Sequence, residues 1–332
     1  VGSEMCIRDS GVPLTLLRLR SQHRLAVVEL GMNHPGEIAG LATMAQPTVA
    51  LVNNAQREHL EFMHTVEAVA RENGTVIAAL PPQGVAVFPL DDDYTAIWTD
   101  LAGMRSTVQF GWTSAGAAQE VLCTGADWVD GAWQVRVSTP WGPLAYRLSI
   151  AGRHNVKNSL AAAACALAAG VNTQAVEQGL QAFVPVKGRC RAQLLTHSGL
   201  HCTLVDDTYN ANPDSMRAAI QVLVDLPGPR LLVLGDMGEV GTRGAEFHAE
   251  VGRLAHASGI THVLALGELA RHAVQACPGA EHFADVDTLI ARARTLLPQM
   301  ASVLVKGSRF MRMERVIEAL AVPAGEGTSH VA

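Results

Sequence analysis

From Leu25 onward, short apolar runs alternate with longer stretches of helical periodicity, and this alternation constrains the fold more than any other feature. A chain that passes repeatedly from strand to helix and back builds a mostly parallel sheet with helices on its faces, so the fold class reads as α/β. In the first half, strands are expected at residues 25–30, 48–53 and 84–88, with helical segments near 65–80 and 92–101. Between about 107 and 150 the pattern changes to alternating residues with Gly and Trp turns, as at 133–137 and 144–150. That change predicts an antiparallel patch on the edge of the first domain. Helices at 155–169 and 173–183 follow. After Arg191 the alternation restarts: strand 202–206, helix 213–226, strand 230–235, helix 244–258, strands 263–266 and 302–305, and a closing helix.

A length of 332 residues suits two cores better than one. The expected division is a first α/β domain over residues 11–191 and a Rossmann-like second domain over 192–332. Residues 1–10 have neither periodicity nor the apolar core of a signal peptide and read as a leader outside the fold. Gly11 to Leu19 reads as the middle of a domain, so a late start within the first domain is expected. The net charge of −6 is spread along the chain, which argues against a nucleic-acid surface or a polybasic membrane anchor. No apolar stretch is long enough to span a bilayer, so no membrane insertion is expected. The six cysteines (Cys6, Cys123, Cys165, Cys190, Cys202, Cys277) show no CxxC pair and no zinc spacing, and are expected to be reduced thiols in a cytoplasmic protein.

Four stretches could carry chemistry. The first expected strand ends in Glu29-Leu30-Gly31, followed by Asn33, His34, Gly36 and Glu37, and the next ends in Asn53-Asn54 with His59 and Glu61 close behind. Ligands of open parallel sheets bind beyond the carboxyl ends of the strands, so Glu29 and His59 could serve a Mg²⁺ ion there. Alone, such a Glu could equally be a structural cap or a surface charge. The second stretch is Gly152-Arg153-His154-Asn155-Val156-Lys157-Asn158, where Asn155 and Asn158 share a face at a helix start that favours anions, with N-capping by Asn155 as the bland alternative. The third is Asp206-Asp207-Thr208-Tyr209-Asn210-Ala211-Asn212-Pro213, with Asn212 as helix cap and Pro213 in the first turn. Two adjacent acids are costly to bury without a balancing ligand or metal, unless the turn is simply solvated. The fourth is Lys306-Gly307-Ser308-Arg309, expected to open the last helix and to cradle a carboxylate or phosphate, with Gly235 to Glu239 lining the same cleft. No GxxxxGK[ST] phosphate loop occurs in the sequence.

In combination and order these motifs resemble the Mur ligase family, most closely its dipeptide-adding members, over about residues 11–320. The resemblance implies a central ATPase domain, here lacking its phosphate-loop portion, followed by the Rossmann-like domain. It implies an ATP-dependent amide ligase of peptidoglycan precursor synthesis that acts as a monomer, the alternatives being another ligase of the same superfamily (a third-residue-adding Mur ligase or a folylpolyglutamate synthetase) or a non-catalytic nucleotide- or peptide-binding fragment. Its substrates would be UDP-N-acetylmuramoyl tripeptide and D-alanyl-D-alanine, and its cofactors ATP and Mg²⁺. By the same resemblance Glu29 and His59 serve Mg²⁺, while Asn155 and Asn158 serve the nucleotide base. Arg189 and Asp207 contact ATP phosphate or ribose, and Asn210, Asn212, Lys306, Ser308 and Arg309 lie near the dipeptide. Many members carry a carbamate-forming lysine where this chain has Asn73, so a weaker second metal site is expected. Without the phosphate loop, the 332 residues by themselves are expected to be poorly active.

Overall fold

The structure is a computed structural model that describes residues 11–58, 60–112, 120–129, 131–197, 200–238 and 240–321. The chain divides into two compact units, the first comprising residues 1–127, 134–147 and 156–182 and the second 128–133, 148–155 and 183–332.

The first unit opens with α1 (Gly11–Leu16), α2 (Glu37–Ala45), β1 (Val49–Leu51), α3 (Leu60–Met63), α4 (Val66–Ala78), β2 (Val85–Pro89) and α5 (Thr95–Ala102). Four strands follow: β3 (Ser106–Trp112), β4 (Glu120–Val129), β5 (Ala132–Ser138) and β6 (Leu144–Leu148). The sheet keeps sequence order from β1 to β6. Helix α4 starts where the Thr65 side chain accepts the Ala68 N–H at 3.1 Å, a side-chain cap for one of the orphan donors of a first turn. Its apolar face packs Ala70 and Ile77 against β1, β2 and the fully buried Trp98, whose indole N–H is satisfied by the Ala70 carbonyl at 2.9 Å.

One expectation fails here, and a second is narrowed. Residues 25–30 form no strand: Leu25 is 65% and Val27 98% exposed. Among the described residues no strand pairs with them, and an apolar pattern without a partner does not hold a strand. The region after 107 is not antiparallel throughout, because β3 pairs in parallel with β2, and β4 in parallel with β3. Alternation reports which face is buried, not the direction of the neighbour. Antiparallel pairing begins where β4, β5 and β6 are joined by links too short for a parallel crossover.

Helix α6 (Arg153–Ala168) and α7 (Thr173–Gln181) lead on to β7 (Arg191–His197), β8 (Leu200–Asp207), α8 (Pro213–Asp225), β9 (Arg230–Gly235), α9 (Gly244–Ala257) and β10 (His262–Leu266). The chain closes with α10 (Arg271–Gln275), β11 (Glu281–Phe283), α11 (Val286–Leu296), β12 (Ser302–Lys306) and α12 (Glu314–Ala321). The second sheet has the order β11-β10-β9-β12-β8-β7 and is parallel except for the β7/β8 pair. Helices α8, α9 and α10 cover one face and α11 and α12 the other, each through its own buried cluster. Strands β9, β10 and β12 are therefore buried on both faces, which is why they read as continuous apolar runs. The Lys306 motif does not open the last helix: a single 3-10 turn at Arg309–Met311 intervenes before α12.

Candidate functional site

In the first unit Glu29, one of the two residues expected to bind metal, lies in an open stretch. Residues 23–32 have neither helix nor strand, and Glu29 is exposed; His59 lies outside the described residues. The stretch is fastened at its far end. Glu37 accepts the Asn33 N–H at 2.7 Å and pairs with His34 at 3.0 Å, and these bonds hold its carboxyl below the usual range, the Asn33 N–H contributing most. Helix α2 begins at Gly36 without a side-chain cap of its own. The buried Glu72 of α4 supplies one, accepting the Gly36 N–H at 2.9 Å and the Ile38 N–H at 2.8 Å. A carboxylate is well suited to the positive end of a helix. Sequence reasoning missed Glu72; the available signal was a helix start at Gly36 with no Ser, Thr, Asp or Asn to cap it. Asn73, next along α4, is half-buried.

The chemistry of Mg²⁺ asks for one or two carboxylate oxygens completed by phosphate. Among the described residues no three His, Cys, Asp or Glu side chains group to hold a metal by themselves, and the exposed carboxylate of Glu29 fits that partial coordination.

The basic and amide residues of 152–158 are already engaged. Helix α6 starts at Arg153, so Asn155 is inside the first turn rather than its cap, and its amide donates to the Ala151 carbonyl at 2.7 Å. Asn158 accepts from the Asn53 amide at 2.9 Å, and Lys157 is ion-paired with Asp91 at 2.5 Å. His154 lies 3.7 Å from the Cys190 thiol. Burial holds this imidazole below the ordinary histidine value, with Lys306 adding to the effect and Asp207 opposing it.

In the second unit several expected residues converge at the carboxyl ends of β8, β12 and β9. Lys306 stands beside Asp207 in register and donates to its carboxylate at 2.7 Å and to the Asn210 carbonyl at 2.8 Å. Only 4% of the Lys306 side chain is exposed. The other Asp207 oxygen accepts the Cys190 N–H at 3.1 Å. Asp206 accepts the Gly188 N–H at 2.9 Å and the Thr208 hydroxyl at 2.7 Å. The two buried acids are thus met from within the protein, by one ammonium and a set of N–H and O–H donors. The same pairing removes the sequence-based reason for an anion at Lys306, since its charge is met by Asp207. Ser308 accepts the Gly238 N–H at 2.7 Å and donates to the Ala211 carbonyl at 3.1 Å, so Gly238 does join this edge; Glu239 lies outside the described residues. Arg309 points outward to Glu314 at 3.4 Å, and the exposed Arg189 lies over the Tyr209 ring at 4.3 Å. Asn212 caps α8 as expected, in a reciprocal box with Ser215.

Beside this cluster, Asp236 accepts the Ala270 N–H at 2.7 Å, and its carboxylate fills the space where Gly267 (φ +117°) would otherwise carry a Cβ, 2.5 Å away. His248 accepts the Met237 N–H through Nε2 at 3.0 Å and donates through Nδ1 to the Gly244 carbonyl at 2.7 Å. That geometry requires the neutral ring, in keeping with burial lowering its pKa, so its 3.9 Å approach to Asp236 is not an ion pair. The described cysteines are free thiols, and Cys6 lies outside the described residues. Burial raises the pKa of Cys165 and Cys202 to about 11 and pushes Cys190 further up, which makes them poor nucleophiles.

A parallel sheet covered on both faces, with its polar side chains gathered at the carboxyl ends of the strands, defines a doubly wound α/β domain of the kind that binds ligands at that edge. Residues 6–166 match the Mur ligase middle domain and residues 190–309 the Mur ligase glutamate ligase domain. The UDP-N-acetylmuramoyl-tripeptide--D-alanyl-D-alanine ligase of Escherichia coli is 39% identical over 315 residues, which are 94% of this chain and 68% of that protein. The crystal structure of MurF from Acinetobacter baumannii superposes with a TM-score of 0.86 at 35% identity, over 96% of this chain and 69% of that one. MurF from Thermotoga maritima, solved in complex with ADP, gives 0.82 at 25% identity, over 94% and 70%. The chain belongs to the Mur ligase family. Among the described residues no helix is long and apolar enough to cross a membrane.

Proposed function

We propose that this chain carries the larger part of an ATP-dependent amide ligase that joins D-alanyl-D-alanine to UDP-N-acetylmuramoyl tripeptide in peptidoglycan precursor synthesis. The supporting observation is the likeness to the E. coli ligase of that name across 94% of the chain. The terminal carboxylate of the tripeptide takes the γ-phosphoryl group of ATP, releasing ADP. The dipeptide amine then attacks the acyl phosphate, forming the amide and expelling inorganic phosphate. Such chemistry asks the protein mainly to position reactants and neutralise charge.

Within that reading Glu29 and His59 hold Mg²⁺, which supplies charge neutralisation at the phosphates. Asn155 and Asn158 face the base, and Arg189 a phosphate. Asp207 keeps accepting capacity for a ribose hydroxyl, since a carboxylate offers about four lone-pair sites and the protein uses only some of them. Lys306 has three N–H donors, of which Asp207 and the Asn210 carbonyl take two. In this reading the third would serve a carboxylate of the dipeptide, to which Asn210, Asn212, Ser308 and Arg309 would also contribute. Asn73 lacks the negative charge of a carbamate, so a second Mg²⁺ binds weakly.

The test is ADP formation by the 332-residue chain, alone and fused to the third of the E. coli ligase that the alignment leaves out. With ATP and Mg²⁺ present, the fusion turns over only when both the UDP-linked tripeptide and D-alanyl-D-alanine are supplied. The chain alone turns over little, because it has no GxxxxGK[ST] loop. A folded fusion that hydrolyses ATP regardless of the dipeptide would contradict the proposal.

A further inference from the structure

We infer that Asp206 is a positioning residue that acts through Gly188 on Arg189. Asp206 stands at the end of β8 and is 4% exposed. One of its oxygens accepts the Thr208 hydroxyl at 2.7 Å and N–H at 3.3 Å, and the other accepts the Gly188 N–H at 2.9 Å. The Gly188 carbonyl is taken in turn by the Tyr209 N–H at 3.0 Å. Both polar groups of one residue in the 183–190 segment are therefore bound by the 206–209 segment. The geometry tolerates only glycine there, because φ is +79° and a Cβ would lie 3.0 Å from the Tyr209 nitrogen. On the other side of Arg189, the Cys190 N–H is bound by Asp207 at 3.1 Å.

Arg189 is thus held by its two backbone neighbours, and its guanidinium rests on the face of Tyr209 at 4.3 Å, a ring belonging to the same segment that binds Gly188. A long exposed side chain ordinarily samples many rotamers. Here the backbone is pinned and the cation has an aromatic platform, so the guanidinium is presented in one direction before any anion arrives. Asp206 makes no demand on a ligand for this: its lone pairs are turned inward to donors of the protein. The division of labour between the paired acids follows, with Asp207 bonded to Lys306 and Asp206 to the glycine that orients Arg189. This inference rests on the proposed role of Arg189 at a nucleotide phosphate.

The test is a double-mutant cycle between Asp206→Asn and Arg189→Ala, read by calorimetric titration of the fused ligase with ADP and by amide exchange at Gly188. In Asp206→Asn the amide can offer an oxygen to only one of its two donor groups. The variant should exchange Gly188 about tenfold faster and bind ADP about tenfold more weakly. Gly188→Ala should reproduce the weaker binding. In the Arg189→Ala background Asp206→Asn should cost nothing further, which a general loss of folding would not produce. Additive losses, or unchanged exchange at Gly188, would overturn the positioning role. An Arg189→Ala fusion that binds ADP as tightly as its parent would instead sink the phosphate role of Arg189. In that case the exchange rate at Gly188 still decides whether Asp206 pins the segment.

Discussion

The stretch around Glu29 and the strand ends around Asp207 both carry the residues that the family likeness points to, and they treat them in opposite ways. Residues 23–32 are irregular and mostly exposed, and Glu29 keeps its carboxylate in solvent. Asp207 and Lys306 are buried and bonded to each other, with the Cys190 N–H and the Asn210 carbonyl completing the set. One region leaves its polar side chains largely to solvent. The other is completed by the protein and can lend a ligand only what is left over. A sequence motif is silent on this difference, because the same residue types serve both arrangements.

The largest effect should come from opening the closed region. Lys306→Met keeps the volume and leaves Asp207 buried without its cation, which should cost about 3–5 kcal/mol of stability in a denaturant titration. Adding Asp207→Asn should recover much of it; a double variant no more stable than Lys306→Met would show that the pair is not what balances the region. A smaller effect should follow from pH. His154 and His248 are held below the ordinary histidine value by burial, so below about pH 6.5 the unfolded chain takes up protons that the folded chain refuses. Stability should therefore be flat above that pH and decline as pH falls beneath it, and His154→Gln should flatten part of the decline. A midpoint that rises on mild acidification would reverse the assignment. The smallest structural effect belongs to the open region: Glu29→Gln should change stability by less than about 0.5 kcal/mol while abolishing most dipeptide-dependent ADP formation by the fused ligase. If that substitution unfolds the protein, the contrast between the two regions fails.

Much of the second unit was legible in the sequence, for a physical reason. Strands β9, β10 and β12 lie inside a sheet covered on both faces, so their apolar runs admit no other reading. The cap at Asn212 and Pro213 was legible because capping is decided within four residues. Residues 25–30 carried a similar apolar signal and form no strand, since a strand exists by virtue of its neighbours and a sequence window does not contain them. The direction of β4 was hidden for the same reason. The bond between Lys306 and Asp207 joins residues 99 apart in sequence, and it follows from register once the sheet order is known. Glu72 was invisible as a cap because the helix it serves begins 36 residues earlier.

The place of β12 carries a consequence for how the protein comes off the ribosome. Last of the described strands in chain order, it occupies the middle of its sheet, between β9 and β8. Until it emerges, those two strands have no hydrogen-bonding partner between them, and Asp207 has no lysine. From the emergence of β9 until β12 follows, the nascent chain therefore carries two unzipped apolar edges, the condition under which chains aggregate or engage chaperones. A chain cut short before Ser302 would yield not a slightly smaller domain but two half-sheets without the strand that joins them.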